Sequence, residues 1–82
     1  MEEYSEGFII SNKIRKAVFS EIASGEHSID KIAKKHHLLP KLVERAVTEI
    51  TEGKLIEKHR KGYRLTDHGK KILIKIKSHE TI

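Results

Sequence analysis

Gly53-Lys54-Leu55-Ile56-Glu57-Lys58-His59-Arg60-Lys61-Gly62-Tyr63-Arg64-Leu65-Thr66 is the stretch that organises the rest of the chain. It reads as a helix stop, a strand, a basic tip closed by Gly62, and a second strand. Gly53 suits the left-handed position after a helix, where a missing Cβ removes the strain. Leu55-Ile56 opens an apolar strand, and Tyr63 and Leu65 alternate with Arg64 as a half-buried strand requires. The hairpin carries five basic residues, Lys54, Lys58, Arg60, Lys61 and Arg64, against one acid, Glu57. Two short amphipathic segments with helix-turn-helix spacing lie directly upstream, and that order of parts points towards nucleic acid.

Upstream, Ser28 caps a short helix with apolar positions Ile29, Ile32 and Ala33. Asp30 near its start and Lys34-Lys35 near its end complement the helix dipole. His36-His37-Leu38-Leu39 forms the turn, and Pro40 opens the next helix at its first position, where the missing N–H costs nothing. Val43, Ala46, Val47 and Ile50 are the buried stripe of that helix. Before this pair, Phe8-Ile9-Ile10 leads into Ser11 as N-cap of a first helix, with Ile14, Ala17, Val18, Phe19 and Ile22 inward and Lys13, Arg15 and Lys16 mostly on the wet side. Gly25 ends it. After the hairpin, Thr66 caps a fourth helix with Ile72, Leu73 and Ile76 on one face. Gly69, early in that helix, weakens it by roughly 1 kcal/mol relative to Ala, and a close approach to the hairpin explains its presence.

Eighty-two residues allow one domain with one modest core. Residues 1–7 read as an acidic, flexible N-terminus, 8–78 as the domain and 79–82 as a tail. The chain has no cysteine, hence no disulfide framework and no thiolate zinc site, and a reducing cytoplasm is the expected location. No apolar run approaches the ~20 residues that span a bilayer, and the acidic start lacks the features of a signal peptide. The net charge of +5 is unevenly spread: residues 1–7 carry Glu2, Glu3 and Glu6 without a cation, whereas residues 54–64 sum to +4, five basic minus one acidic. Segregated charge is a sharper footprint of a polyanionic partner than the total.

Ile32-Ala33, His36-His37-Leu38, Val43-Glu44-Arg45-Ala46-Val47 and Ile50 together resemble the helix-turn-helix of winged-helix transcriptional regulators. Gly53-Lys54-Leu55-Ile56, followed by Gly62-Tyr63-Arg64-Leu65-Thr66-Asp67-His68-Gly69, looks like the end of the same domain in the broad MarR, ArsR and PadR-like group, which includes many small archaeal DNA-binding proteins. The resemblance covers about residues 8–78. It implies a mainly α fold with a small β-hairpin: a three-helix core, a two-stranded wing and a C-terminal fourth helix. It also implies that the third helix enters the major groove with its outer side, Lys41, Leu42, Glu44, Arg45, Thr48 and Glu49. This chain has His37 where family members often carry Gly, and Leu39 and Leu42 where small hydroxyl residues are common.

The expected function is sequence-dependent binding of double-stranded DNA by a transcriptional regulator. Lys41, Arg45 and Thr48 are assigned near the bases, with Leu42 and Glu44 on the same face. Arg60 and Lys61 of the wing, flanked by Lys58 and Arg64, and Lys34 and Lys35 beside the turn, are assigned to phosphates. Over residues 40–52 the third helix carries Lys41 and Arg45 against Glu44, Glu49 and Glu52, a net of −1, so the wing and first two helices must supply much of the attraction. Bland readings stand beside these: a solvated hairpin kept polar against aggregation, an Arg45–Glu49 pair on an exposed helix, Leu39 partly buried by the turn, and Leu42 packed on the second helix. The rival function is a protein-interaction module that uses the acidic, leucine-bearing face of the third helix. An RNA-binding role has less support, because Tyr4, Phe8, Phe19 and Tyr63 read mostly as core. No metal or cofactor is expected, since no His-x-x-x-His or Glu-x-x-His pair falls on a helix. No phosphate loop or nucleophile motif is present, so no enzyme is expected. Phe8 and Ile74 are the candidates for a homodimer seam.

Overall fold

The protein's structure, a computed structural model, describes residues 6–26, 28–60 and 62–80. Within them the chain forms α1 (Glu6–Ile10), α2 (Lys13–Ala23), α3 (Ile29–Lys35), α4 (Pro40–Glu52), β1 (Ile56–His59), β2 (Gly62–Leu65) and α5 (Asp67–Glu80). The mainly helical architecture with a two-stranded antiparallel hairpin is winged-helix-like, with the expected order from α2 onward.

The one addition is α1. Phe8-Ile9-Ile10 is too short a run to show a helical period, and the turn it forms is held by packing on α2 and α5, with Ile9 fully buried. The acidic start therefore turns helical by Glu6, while residues 1–5 lie outside the described residues; at the other end α5 runs through to Glu80. Ser11 is not the cap of α2. Its hydroxyl donates back to the Phe8 carbonyl at 3.3 Å, and the Asn12 side chain accepts from the Ile14 and Arg15 amides at 2.9 and 3.0 Å. Ser28 caps α3 by accepting from the Lys31 amide, and Pro40 occupies the first turn of α4, both as expected.

α2, α3 and α4 end in the same reversal. The amides of Glu26, Leu38 and Leu55 reach back to the carbonyls of Glu21, Ala33 and Ile50 at 2.9, 2.8 and 3.2 Å, the six-to-one bond of a Schellman motif. Its left-handed position falls on Gly25 (φ +105°), His37 (φ +56°) and Lys54 (φ +63°). The expectation for Gly53 is thus off by one residue: Gly53 is right-handed at φ −78°. Leu55 must enter the core, where it is fully buried, and that requirement places the reversal at Lys54.

The core joins Val18, Phe19 and Ile22 of α2, Ile32 and Ala33 of α3, Val43, Ala46, Val47 and Ile50 of α4, and Ile72 and Ile76 of α5. Leu55 and Ile56 close it at the hairpin base. The strands pair Ile56 with Leu65 and His59 with Gly62, leaving a two-residue tip. Thr66 couples the hairpin to α5: its hydroxyl donates to the Lys54 carbonyl at 2.6 Å and accepts from the Gly69 amide at 2.9 Å. A Cβ on Gly69 would run into the Leu55 carbonyl oxygen, so the anticipated close approach is the reason for that glycine.

Candidate nucleic-acid interface

α4 is amphipathic: Val43, Ala46, Val47 and Ile50 are buried while Lys41, Leu42, Glu44, Arg45 and Thr48 are exposed on its outer side. Burying the first set fixes where the second points, because four inward residues over two turns leave one free face. The Thr48 hydroxyl donates to the Glu44 carbonyl at 3.0 Å, which settles its orientation along the helix. At the start of α4, Leu39 makes no side-chain cap and is 68% exposed, so it is not tucked beside the turn as expected. Leu42 is 38% exposed and with Ile14 and Ala46 lines a shallow cleft between α2 and α4, rimmed by Arg15, Arg45 and Glu49.

Tertiary contacts redistribute the charges. Arg15, expected on the wet side of its helix, has a side chain only 16% exposed. Its Nε donates to the Phe8 carbonyl at 2.9 Å, its guanidinium lies 4.0 Å over the Phe8 ring, and Nη1 donates to Glu49 at 3.2 Å. The expected Arg45–Glu49 pair is therefore replaced by Arg15–Glu49, a contact across 34 positions that no local pattern announces. Phe8 lies under Arg15 and is partly buried against the core, whereas Ile74 is 68% exposed.

A second cluster sits where α2 meets the turn. Glu21, with its side chain 12% exposed, receives His36 Nε2 at 2.9 Å and Lys35 Nζ at 3.1 Å. The hydrogen bond from His36, then that from Lys35, holds the Glu21 carboxyl below its ordinary range, against the opposing effect of burial. Lys35 is thus engaged, while its neighbour Lys34 is exposed and carries no ion pair among the described residues.

In the hairpin, Glu57 stands opposite Arg64 and accepts from its Nε at 2.7 Å, so that cation is matched across the strands. Lys58 and Arg60 are exposed, and Arg60 occupies the tip in a left-handed conformation at φ +54°. Lys61 lies outside the described residues. Among those residues, Lys34, Lys41, Arg45, Lys58 and Arg60 have no ion-pair partner. The structure therefore presents unmatched cations at the end of α3, on the outer side of α4 and at the hairpin tip. Tyr63 is half-buried and packs against the core.

Among the described residues no group of three or more His, Asp or Glu side chains is arranged to hold a metal, and no helix is long and apolar enough to cross a membrane. The model of the family described as "Methanogenesis regulatory protein FilR1, N-terminal domain" matches residues 7–79. The chain belongs to this family. The match takes in every element from α2 to the hairpin and most of α1 and α5, and membership in the FilR1 N-terminal domain family supports a role in transcriptional regulation. No curated protein and no solved structure matched the chain.

Proposed function

We propose that this domain binds double-stranded DNA as a winged-helix transcriptional regulator of the MarR, ArsR and PadR-like kind, without catalytic activity. α4 enters the major groove, bringing Lys41, Arg45 and Thr48 to base edges with Leu42 and Glu44 beside them. Lys34 at the turn and Lys58 and Arg60 of the wing, with Lys61 next in sequence, neutralise phosphates. The observation that carries this reading is the set of unmatched cations on α3, α4 and the hairpin of a FilR1-family domain. Of the three acids that give residues 40–52 a net of −1, Glu49 is matched from outside that helix by Arg15. Lys35 and Arg64 are secondary contacts, since each must leave or share an acid to reach a phosphate.

Fluorescence anisotropy with a short random-sequence duplex tests the reading. Binding at low salt that weakens as salt rises is expected, and Arg60→Ala with Lys61→Ala should weaken it for every sequence and flatten the salt dependence. An unchanged salt slope in the double variant removes the wing from the interface. A rival reading is favoured by Leu39 and Leu42, which are 68% and 38% exposed on the same side of the molecule. Under it α4 docks a protein partner, and the duplex gives no signal at any salt concentration.

A further inference from the structure

Glu49 has two arginines within its reach in principle, and which one holds it decides what α4 offers to DNA. Arg45 lies one turn earlier on the same helix, with Lys41 one turn before that, so Lys41, Arg45 and Glu49 form a stripe at spacings of four. Arg15 arrives from α2 and makes the pair that is observed, at 3.2 Å. Three features favour Arg15. Its guanidinium is already anchored by the Phe8 carbonyl and ring, so little rotamer freedom remains to be lost on pairing. It is 16% exposed, where an ion pair is less screened than one at the open surface. The competing order, Arg before Glu along a helix, is the less favourable orientation.

We infer that Arg15 is a positioning residue for DNA recognition: by holding Glu49 it keeps Arg45 unpaired and available to a base edge or phosphate. This rests on the proposed DNA-binding function, and Arg15 itself is too enclosed to serve as a major contact. Losing Arg15 does more than expose an anion on the recognition surface. The released Glu49 turns to Arg45 one turn away, so that the substitution neutralises the unpaired Arg45 charge on the side of α4 that faces phosphate. The acid of the stripe is thus a latent inhibitor of its own helix, and the α1–α2 junction, through Phe8 and Arg15, keeps it in check.

The test has one reading without DNA and one with it. In the protein alone, the Arg45 Nε–H resonance should shift and exchange more slowly with water in Arg15→Gln, and should return to the wild-type position in Arg15→Gln with Glu49→Gln. Glu49→Gln alone leaves the Phe8 anchor intact and should not move the Arg45 signal, which keeps the question answerable should Arg15→Gln unfold. A change at Arg45 in Glu49→Gln alone would mean that Arg45 is already Glu49's partner, and the inference fails. With a random duplex, Arg15→Gln should bind about tenfold more weakly than wild type, the loss of roughly one arginine contact, and the added Glu49→Gln should recover most of that loss. Weak binding that Glu49→Gln does not recover, or undiminished binding by Arg15→Gln, overturns the inference while leaving the DNA-binding function in place. Absence of duplex binding by the wild-type protein removes that function, and the positioning role with it, whatever the Arg45 resonance shows.

Discussion

His37, Lys54 and Arg60 are the non-glycine residues with positive φ among the described residues, and each is basic. A Cβ in that conformation is strained, and Gly or Asn would be the ordinary choice at such a reversal. At the two-residue hairpin tip the case is sharpest, because tight hairpin turns favour Asn or Gly. Replacing Arg60 by Gly should raise stability by about 0.5–1 kcal/mol while weakening duplex binding. Urea unfolding and anisotropy on the one variant check both signs, and a variant that gains stability without losing affinity argues that Arg60 only closes the turn. Glu21 carries a pH signature. Its carboxyl is held below the ordinary range by His36 and then Lys35, so its stabilising contribution is present above the unfolded value and is lost as pH falls through the lowered one. The difference in urea midpoint between wild type and Glu21→Gln should therefore hold from neutral pH down to about 5 and close below about 4. A difference that persists undiminished at pH 2.5 would show that the charge of Glu21 is not what holds the turn.

Helix ends were largely legible because capping is local chemistry: Ser28, Pro40 and Thr66 act where their residue types require. Asn12 displaced Ser11 because α1 takes the serine into its own last turn, and a helix one turn long leaves no periodic trace. Asn12→Ala should cost about 1 kcal/mol by removing an acceptor for two amides, measurable as a lowered unfolding midpoint with an unchanged denaturant slope. Gly69 is the stricter position. Ala is the better helix former, yet its Cβ would meet the Leu55 backbone, which cannot swing away as a side chain would. Gly69→Ala should destabilise by roughly 3 kcal/mol or more, with the sign opposite to that of helix propensity. If Gly69→Ala were neutral or stabilising, the packing of α5 on the hairpin base would have to be looser than described.

The described residues measure 29 × 29 × 21 Å along their principal axes. That is comparable with the ~34 Å of one turn of duplex, so on the proposed DNA-binding reading one copy occupies about one turn. A duplex of about 20 base pairs should accordingly take up two copies at saturation and one of about 10 base pairs a single copy. Mass measurement of the complexes under low-salt conditions settles the count. One copy on the longer duplex would mean that the bound domain blocks more of the helix than its own dimensions.

The order of elements from α2 to α5, the inward stripe of α4 and the glycine at the close approach to the hairpin follow from the amino-acid sequence itself. Spacing, caps and turn residues are properties of neighbours along the chain, and burial of an apolar stripe needs no further instruction. Only the tertiary structure decided which charges remain available. Arg15 and Glu49 are 34 positions apart and meet because α2 packs on α4, and Glu21 meets Lys35 and His36 because α2 ends beside the turn. Ion pairing depends on distance in space, and a short chain brings many alternative pairs within reach of one another. Packing of uncharged residues such as Phe8, Ile9 and Val43 selects among those pairs, and so determines which cations the molecule presents outward.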